Sequence, residues 1–336
     1  MNRSGDQITR PLRAWRLFFL AVLIGACAAQ SALAETWAER LGFPSGKKVL
    51  ILHAHEIGLC RATNAAAEAL AASELTHSTS ALPTAPWFAD YAKTASDGQT
   101  ADVGLALTVN SEWPNYRWQP LTSDNLVSTL VDRDGYLWPT AVQTMVNADA
   151  AEVEQELQVQ VLRAQLAGLQ PTHFTTHLGT LFTRLDLAEI YLRLAREHWI
   201  PAVVVELTPA HFERFQNMGF PIPAELVQLI ADYPLPKVDD LVFTPGGESY
   251  AAKKQAFVDL IKGLPPGLVQ VALQPAVESD DLKHIDPNWQ QRVWELQLLQ
   301  DEEVLALLQS DDVILTNWRE IMRRFTGAGS AVEKAQ

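Results

Sequence analysis

"KVLILHAHEIGLCRATN", residues 48–64, is the stretch from which the rest of the chain is read. Val49 to Leu52 are apolar at every position, which suits a strand buried on both faces in a parallel sheet. The run ends in His53, Ala54, His55 and Glu56, then Gly58. Ionisable side chains at the carboxyl end of a buried strand are where a (β/α) fold keeps its chemistry. On a strand His53 and His55 share one face, and Glu56 points the other way or lies just past the strand end.

Working outward, short β-like runs alternate with helical ones. "STSAL", "ADVGLALTV", "THFTTH", "PAVVVEL", "DDLVFT", "GLVQVAL" and "DVILTN" read as strands. Helical periodicity is clear in the segment after Asn147, where Val153, Leu157, Val161 and Ala164 form one stripe. It recurs where Leu187, Ile190, Tyr191 and Leu194 do the same. The alternation predicts an α/β fold, an irregular TIM-barrel-like (β/α) barrel in a single domain covering residues 35–330.

Residues 1–34 read differently. Arg10, Arg13 and Arg16 precede the apolar run "LFFLAVLIGACAA" and the box Ala32-Leu33-Ala34. This is a secretory signal pattern, too short for an ordinary membrane span. A retained anchor or lipidation at Cys27 fits less well, because the small-residue box is well formed and Gly25 suits a lipoprotein box poorly. A secreted or periplasmic protein is expected, with no stable membrane insertion after cleavage. The mature chain keeps one cysteine, Cys60, so no intrachain disulfide can form. The net charge is −14, and removing the signal makes the chain more acidic, which argues against a nucleic-acid partner. The oligomeric state is not readable from the sequence.

Three further groups carry candidate chemistry. His173 and His177 lie on one face of the expected strand "THFTTH", His173 low in the barrel and His177 at the mouth. Glu112, Trp113, Tyr116, Arg117 and Trp118 sit on a loop after a strand. Aromatic faces there suit the C–H faces of sugar rings, with Glu112 and Arg117 meeting hydroxyls; the alternative is a loop whose tryptophans seal it onto the barrel. Arg292 either reaches an acidic group near the pocket or lies on a surface helix.

These segments, in this order, resemble the ChbG/HpnK (YdjC-like) carbohydrate deacetylase family. "SEWPNYRWQPL", "STLVDRDGYLWPT", "PTHFTTHLGTLF" and "GLVQVALQPA" carry the resemblance, together with Gly58 and Asn64 of an N-A-D-D-x-G-x-x-x-x-x-N pattern. The resemblance implies an irregular barrel that uses a divalent metal, usually magnesium, to deacetylate N-acetylated sugars. It also marks departures. The family's general-base aspartate falls on His55, and its metal-ligand aspartate on Glu56. The metal-ligand histidine of G-L-H-L-T-L falls on Ala106. The histidine of D-S-H-M-G-T is kept as His177, but its aspartate is Thr175. The late acid/base histidine of H-P-A is Gln274. Two readings follow. In the first the protein binds carbohydrate but has lost most or all catalysis. In the second His53, His55 and His177 form a zinc-type site with Glu56 as base, and the protein remains a hydrolase.

Overall fold

The computed structural model describes residues 35–97, 102–217 and 222–333. The expected signal segment, with Cys27, lies outside the described residues. Strand β1 (Lys48–Ile57) is the centre of the sheet. Its even positions Leu50, Leu52 and Ala54 pack into the large cluster formed with the surrounding helices. Its odd positions Val49 and Ile51 pack with Val203, Val238, Leu268 and Trp318 in a second cluster. Alternation thus turns one face outward to the helices and the other into the barrel.

The remaining strands are β2 (Ser78–Ala81), β3 (Val103–Leu107), β4 (Phe174–Thr176), β5 (Asp240–Phe243), β6 (Gly267–Leu273) and β7 (Val313–Thr316). The order is β4-β3-β2-β1-β6-β5, all pairings parallel, and β7 pairs the first half of β1. This is the expected α/β architecture, realised as a parallel half-barrel with helices around it. One expected strand differs: "PAVVVEL" makes only isolated bridges, Phe174↔Ala202 and Val205↔Val238. Pro201 has no N–H to give, and the segment bonds β4 on one side and Val238 on the other through two backbone bonds each. It continues the ring without forming a regular ladder.

The interior is layered. At the amino-terminal end of the strands the helix Trp37–Arg40 packs over the opening. Asp239 holds it there, its carboxylate accepting from the N–H groups of Trp37 (2.9 Å), Ala38 (3.4 Å) and Leu268 (2.7 Å). Above lies Trp318, fully buried, its indole N–H donating to Gln270 Oε1 at 3.0 Å and its ring stacked on His173 at 5.6 Å. The backbone of β3 makes room for that imidazole: a Cβ on Gly104 would sit 2.5 Å from His173 Nε2. No helix among the described residues is long and apolar enough to cross a membrane.

Asp239 therefore ties the terminal helix to two strands. Replacing Asp239 by Ala leaves buried backbone donors without partners, at a cost of about 1–3 kcal/mol. Chemical denaturation should show the Asp239→Ala variant less stable by that amount, with Asp239→Asn intermediate.

Candidate active site

The mouth of the barrel is shaped by an irregularity in β1. Its register against β2 runs His53↔Ser78, Ala54↔Thr79 and then Ile57↔Ala81, so β1 carries one extra residue there. Such a bulge re-aims side chains. Glu56 sits at it with φ of 61°, a left-handed conformation that is strained for any residue but glycine. The chain then turns at Gly58, whose φ is 89° and where a Cβ would lie 3.1 Å from the Phe88 backbone. Asn64 locks that turn: its Oδ1 accepts from Gly58 N at 2.9 Å, and its amide donates to Trp87 O and Asp90.

Both oxygens of Glu56 are engaged. Arg292 Nη2 donates to Oε2 at 2.5 Å, and Gln274 Nε2 donates to Oε1 at 2.7 Å. Arg292 comes from the helix Trp289–Leu298, is buried, and also binds Asp286 through Nε. The same helix sends Glu295 to the backbone N–H of Gln274, and the buried Lys253 pairs with Glu295 at 3.0 Å. The surface-helix alternative for Arg292 is thus replaced by the pocket one.

His177 opens a 3-10 turn just past β4, with Leu178 and Gly179 at positive φ. Its Nε2 lies 3.0 Å from both Glu112 oxygens, and its Nδ1 lies 3.9 Å from Glu56 Oε1. One ligand atom from each of Glu56, Glu112 and His177 falls within 4.8 Å of the others. Two carboxylate oxygens and an imidazole nitrogen at this spacing suit a divalent ion such as magnesium or zinc. Glu112, expected to meet sugar hydroxyls, is part of this cluster. Trp113 and Trp118 wall it, each ring 6.2 Å from His177, and the Arg292 guanidinium lies 5.8 Å from the Trp113 ring.

The three-histidine arrangement does not form. His53 Nε2 meets His173 Nε2 at 2.6 Å, inside the barrel, so that nitrogen is engaged by a histidine whose ring stacks on Trp318. His55, expected at the base position, lies with its ring tilted against that of His53 at 4.1 Å, and its buried Nε2 has no hydrogen-bond partner. Ala106 pairs in register with Thr175 and faces the interior on the same side as Gly104. Arg117 is not available to a sugar: it binds Ser111 O, Asp132 and Leu137 O, stapling its own loop. Tyr116 donates to Leu59 O at 2.8 Å, and Trp118 is buried. For these three the loop-sealing alternative describes what is seen. Asp286, Glu295 and Lys253 escape sequence reasoning, since an acid in a turn and a Lys or Glu on a helix carry no distinguishing pattern.

Electrostatics follows from the packing. Burial alone would push the Glu56 carboxyl up, but Arg292 and then His177 outweigh it and hold it below the ordinary value. Burial disfavours a charged His177, yet Glu112 and Glu56 raise its pKa overall. Burial is also the main cause that lowers His55 to about 4 and His173 to about 4, so both are neutral at pH 7.

A family model described as YdjC-like protein matches residues 49–310. A carbohydrate deacetylase of Thermus thermophilus is 34% identical over 272 residues, covering 80% of this chain and 92% of that protein. One from Thermoanaerobacter pseudethanolicus is 22% identical over 271 residues, covering 81% and 98%. The crystal structure of an Enterococcus faecalis protein named for cellobiose-phosphate cleavage has a TM-score of 0.66 at 21% identity, covering 82% of this chain and 99% of that one. At that identity it shares the fold.

The buried pair sets a pH signature. A carboxyl whose folded pKa is depressed contributes stability that is present above its unfolded pKa and lost as pH falls through the folded one. Arg292→Met removes the cation and leaves a buried carboxylate, at about 3–5 kcal/mol at pH 7. Glu56 is then pushed upward by burial, and protonation relieves it. The stability gap between wild type and Arg292→Met, measured by urea denaturation, should therefore narrow as pH falls from 7 toward 4.

Proposed function

This chain belongs to the YdjC-like family of carbohydrate deacetylases, and on that premise we propose that it is an exported protein that binds N-acetylated carbohydrate with lost or very weak turnover. The observation that carries this reading is that both Glu56 oxygens are already engaged, one by the Arg292 guanidinium and one by the Gln274 amide. The carboxylate standing at the family's metal-ligand position is already neutralised by a guanidinium. The side chain standing at the acid/base position is an amide that cannot protonate a leaving amine as an imidazolium can. General acid/base help is typically worth about 10²–10⁴ in rate. His55 is neutral at pH 7 and Ala106 offers no ligand atom, so neither restores what the other positions lack.

What remains suits binding. Trp113 borders the site, the polar groups are Glu112, Glu56 and Gln274, and buried ion pairs brace them. Aromatic faces with a few fixed polar groups make a saccharide cleft.

A second reading has its own observation, the convergence of Glu56, Glu112 and His177. These three residues would hold a divalent ion, which when bound polarises an acetyl carbonyl and acidifies a water molecule. His177 could ligate through Nδ1, which faces Glu56 at 3.9 Å, while Nε2 keeps its contact with Glu112, and Glu56 would share its carboxylate with Arg292 and Gln274. His55, with its unpartnered Nε2, would then accept the proton of an attacking water.

Isothermal titration with N,N′-diacetylchitobiose and an acetate-release assay separate the readings. Binding without chelator-sensitive acetate release is expected. Rapid release that EDTA abolishes and a divalent salt restores would favour the second reading. For export, N-terminal sequencing of protein from the culture medium or periplasm should begin at or near Glu35; a start that retains Arg10 would overturn it.

A further inference from the structure

We propose that the His53–His173 pair inside the barrel is an acid-sensitive latch, which holds the interior closed while both rings are neutral and releases it when they take up protons. The latch acts on the fold as a whole, whatever the mouth above it binds.

The two rings reach each other across the interior. His53 is at an odd position of β1, in the inward-facing set with Val49 and Ile51. His173 precedes β4, three strands away in the sheet order. Both are fully buried. Their Nε2 atoms meet at 2.6 Å, a contact that needs one N–H and one lone pair. Two neutral rings supply this. Two imidazolium rings cannot, because both Nε2 atoms then carry hydrogen. The other nitrogens offer no relief. His173 Nδ1 lies 3.0 Å from Thr172 Oγ1, and His53 Nδ1 is buried without a hydrogen-bond partner. A proton added at His53 Nδ1 therefore creates a buried charge and a buried donor with nothing to accept from it.

The surrounding groups do not compensate that charge. β1 adds His55, its ring 4.1 Å from that of His53, and then Glu56, whose oxygens are held by Arg292 and Gln274. His77, just before β2, opposes a charged His53 as His55 does. Just before β3 comes Asp102, which favours a charged His173. Its carboxylate already accepts from Ser78 Oγ and from the backbone N–H groups of Trp318 and Arg319. β6 and β7 present the neutral Gln270 and Thr316, both in register with Ile51. The helix Trp318–Glu333 presents the Trp318 ring, stacked on His173, with Arg319 next in the chain. Loss of the pair thus undoes a contact that joins β1, β4 and the last helix.

Burial is the main cause that holds His53 well below the ordinary value of 6.5 and His173 at about 4. Below pH 6.5 the unfolded chain takes up protons that the fold refuses. Stability is therefore full above the ordinary value and falls as pH drops from there toward 4. In that window each such histidine raises the unfolding constant about tenfold per pH unit, and the pair about a hundredfold.

The test is proton uptake on unfolding, measured by calorimetry at about pH 5.5 in buffers of different ionisation enthalpy. It compares wild type with His53→Gln and His173→Gln, since an amide can keep a hydrogen bond across the pair but does not titrate. Wild type should take up about two protons or more per molecule, and each variant about one fewer. In urea titrations the unfolding constant of wild type should rise on acidification more steeply than that of either variant, by about tenfold per pH unit. Wild-type uptake of one proton or none would overturn the latch, a result that needs no variant to fold. A folded variant with the pH dependence of wild type would overturn it as well.

Discussion

The ion pair between Glu56 and Arg292 joins residues 236 positions apart, the last turn of the first strand and a helix near the end of the fold. Removing two charges from water is expensive, and further hydrogen bonds offset part of that cost. Asp286 accepts from Arg292 Nε and Gln274 donates to Glu56, while Arg292 Nη1 is buried without a hydrogen-bond partner. One further turn along the same helix, Glu295 fixes Gln274 itself. The mouth of the barrel is thus assembled by a single helix reaching across to β1 and β6. The strained backbone at Glu56 is tolerated because these contacts over-determine where its carboxylate must be.

This arrangement decides how charge is handled. A carboxylate buried at a strand mouth needs a cation, and the cation comes either from an ion in solution or from the chain. Here a guanidinium supplies it. The two solutions compete for the same oxygens, so the position of Arg292 bears directly on whether Glu56, Glu112 and His177 act as ligands or as members of a permanent internal network. A glutamate at position 56 has one methylene more of reach than an aspartate would, and it meets that guanidinium.

Much of the fold was legible because it is written locally. The unbroken apolar run of β1, the alternating helical stripes and the Gly58–Asn64 pair each encode a structure within a few residues. The pocket position of His177 was legible too, from its place at the end of a strand. The bulge that turns Glu56 into the mouth was not, since it depends on register with β2. Nor was the site role of Arg292 decided, because an arginine on a polar helix looks the same whether it faces water or a carboxylate. Arg117 misled for the opposite reason: a basic residue among aromatics suits a ligand, but its partners Asp132 and Leu137 lie within the same loop. The segment "PAVVVEL" has strand composition, yet its neighbours offer only two bonds apiece.

Trp318 has one more effect. Its indole fills the space between His173 and Gln270, and its backbone N–H binds Asp102 at 2.8 Å, so three distant parts of the sequence close around it. A nascent chain that has not yet delivered residue 318 carries a half-barrel with an unfilled centre and two polar walls facing nothing. Long-range contacts of this kind are slow to form and come late in folding. The order of synthesis therefore leaves the centre of the barrel unfilled until almost all of its strands have been made.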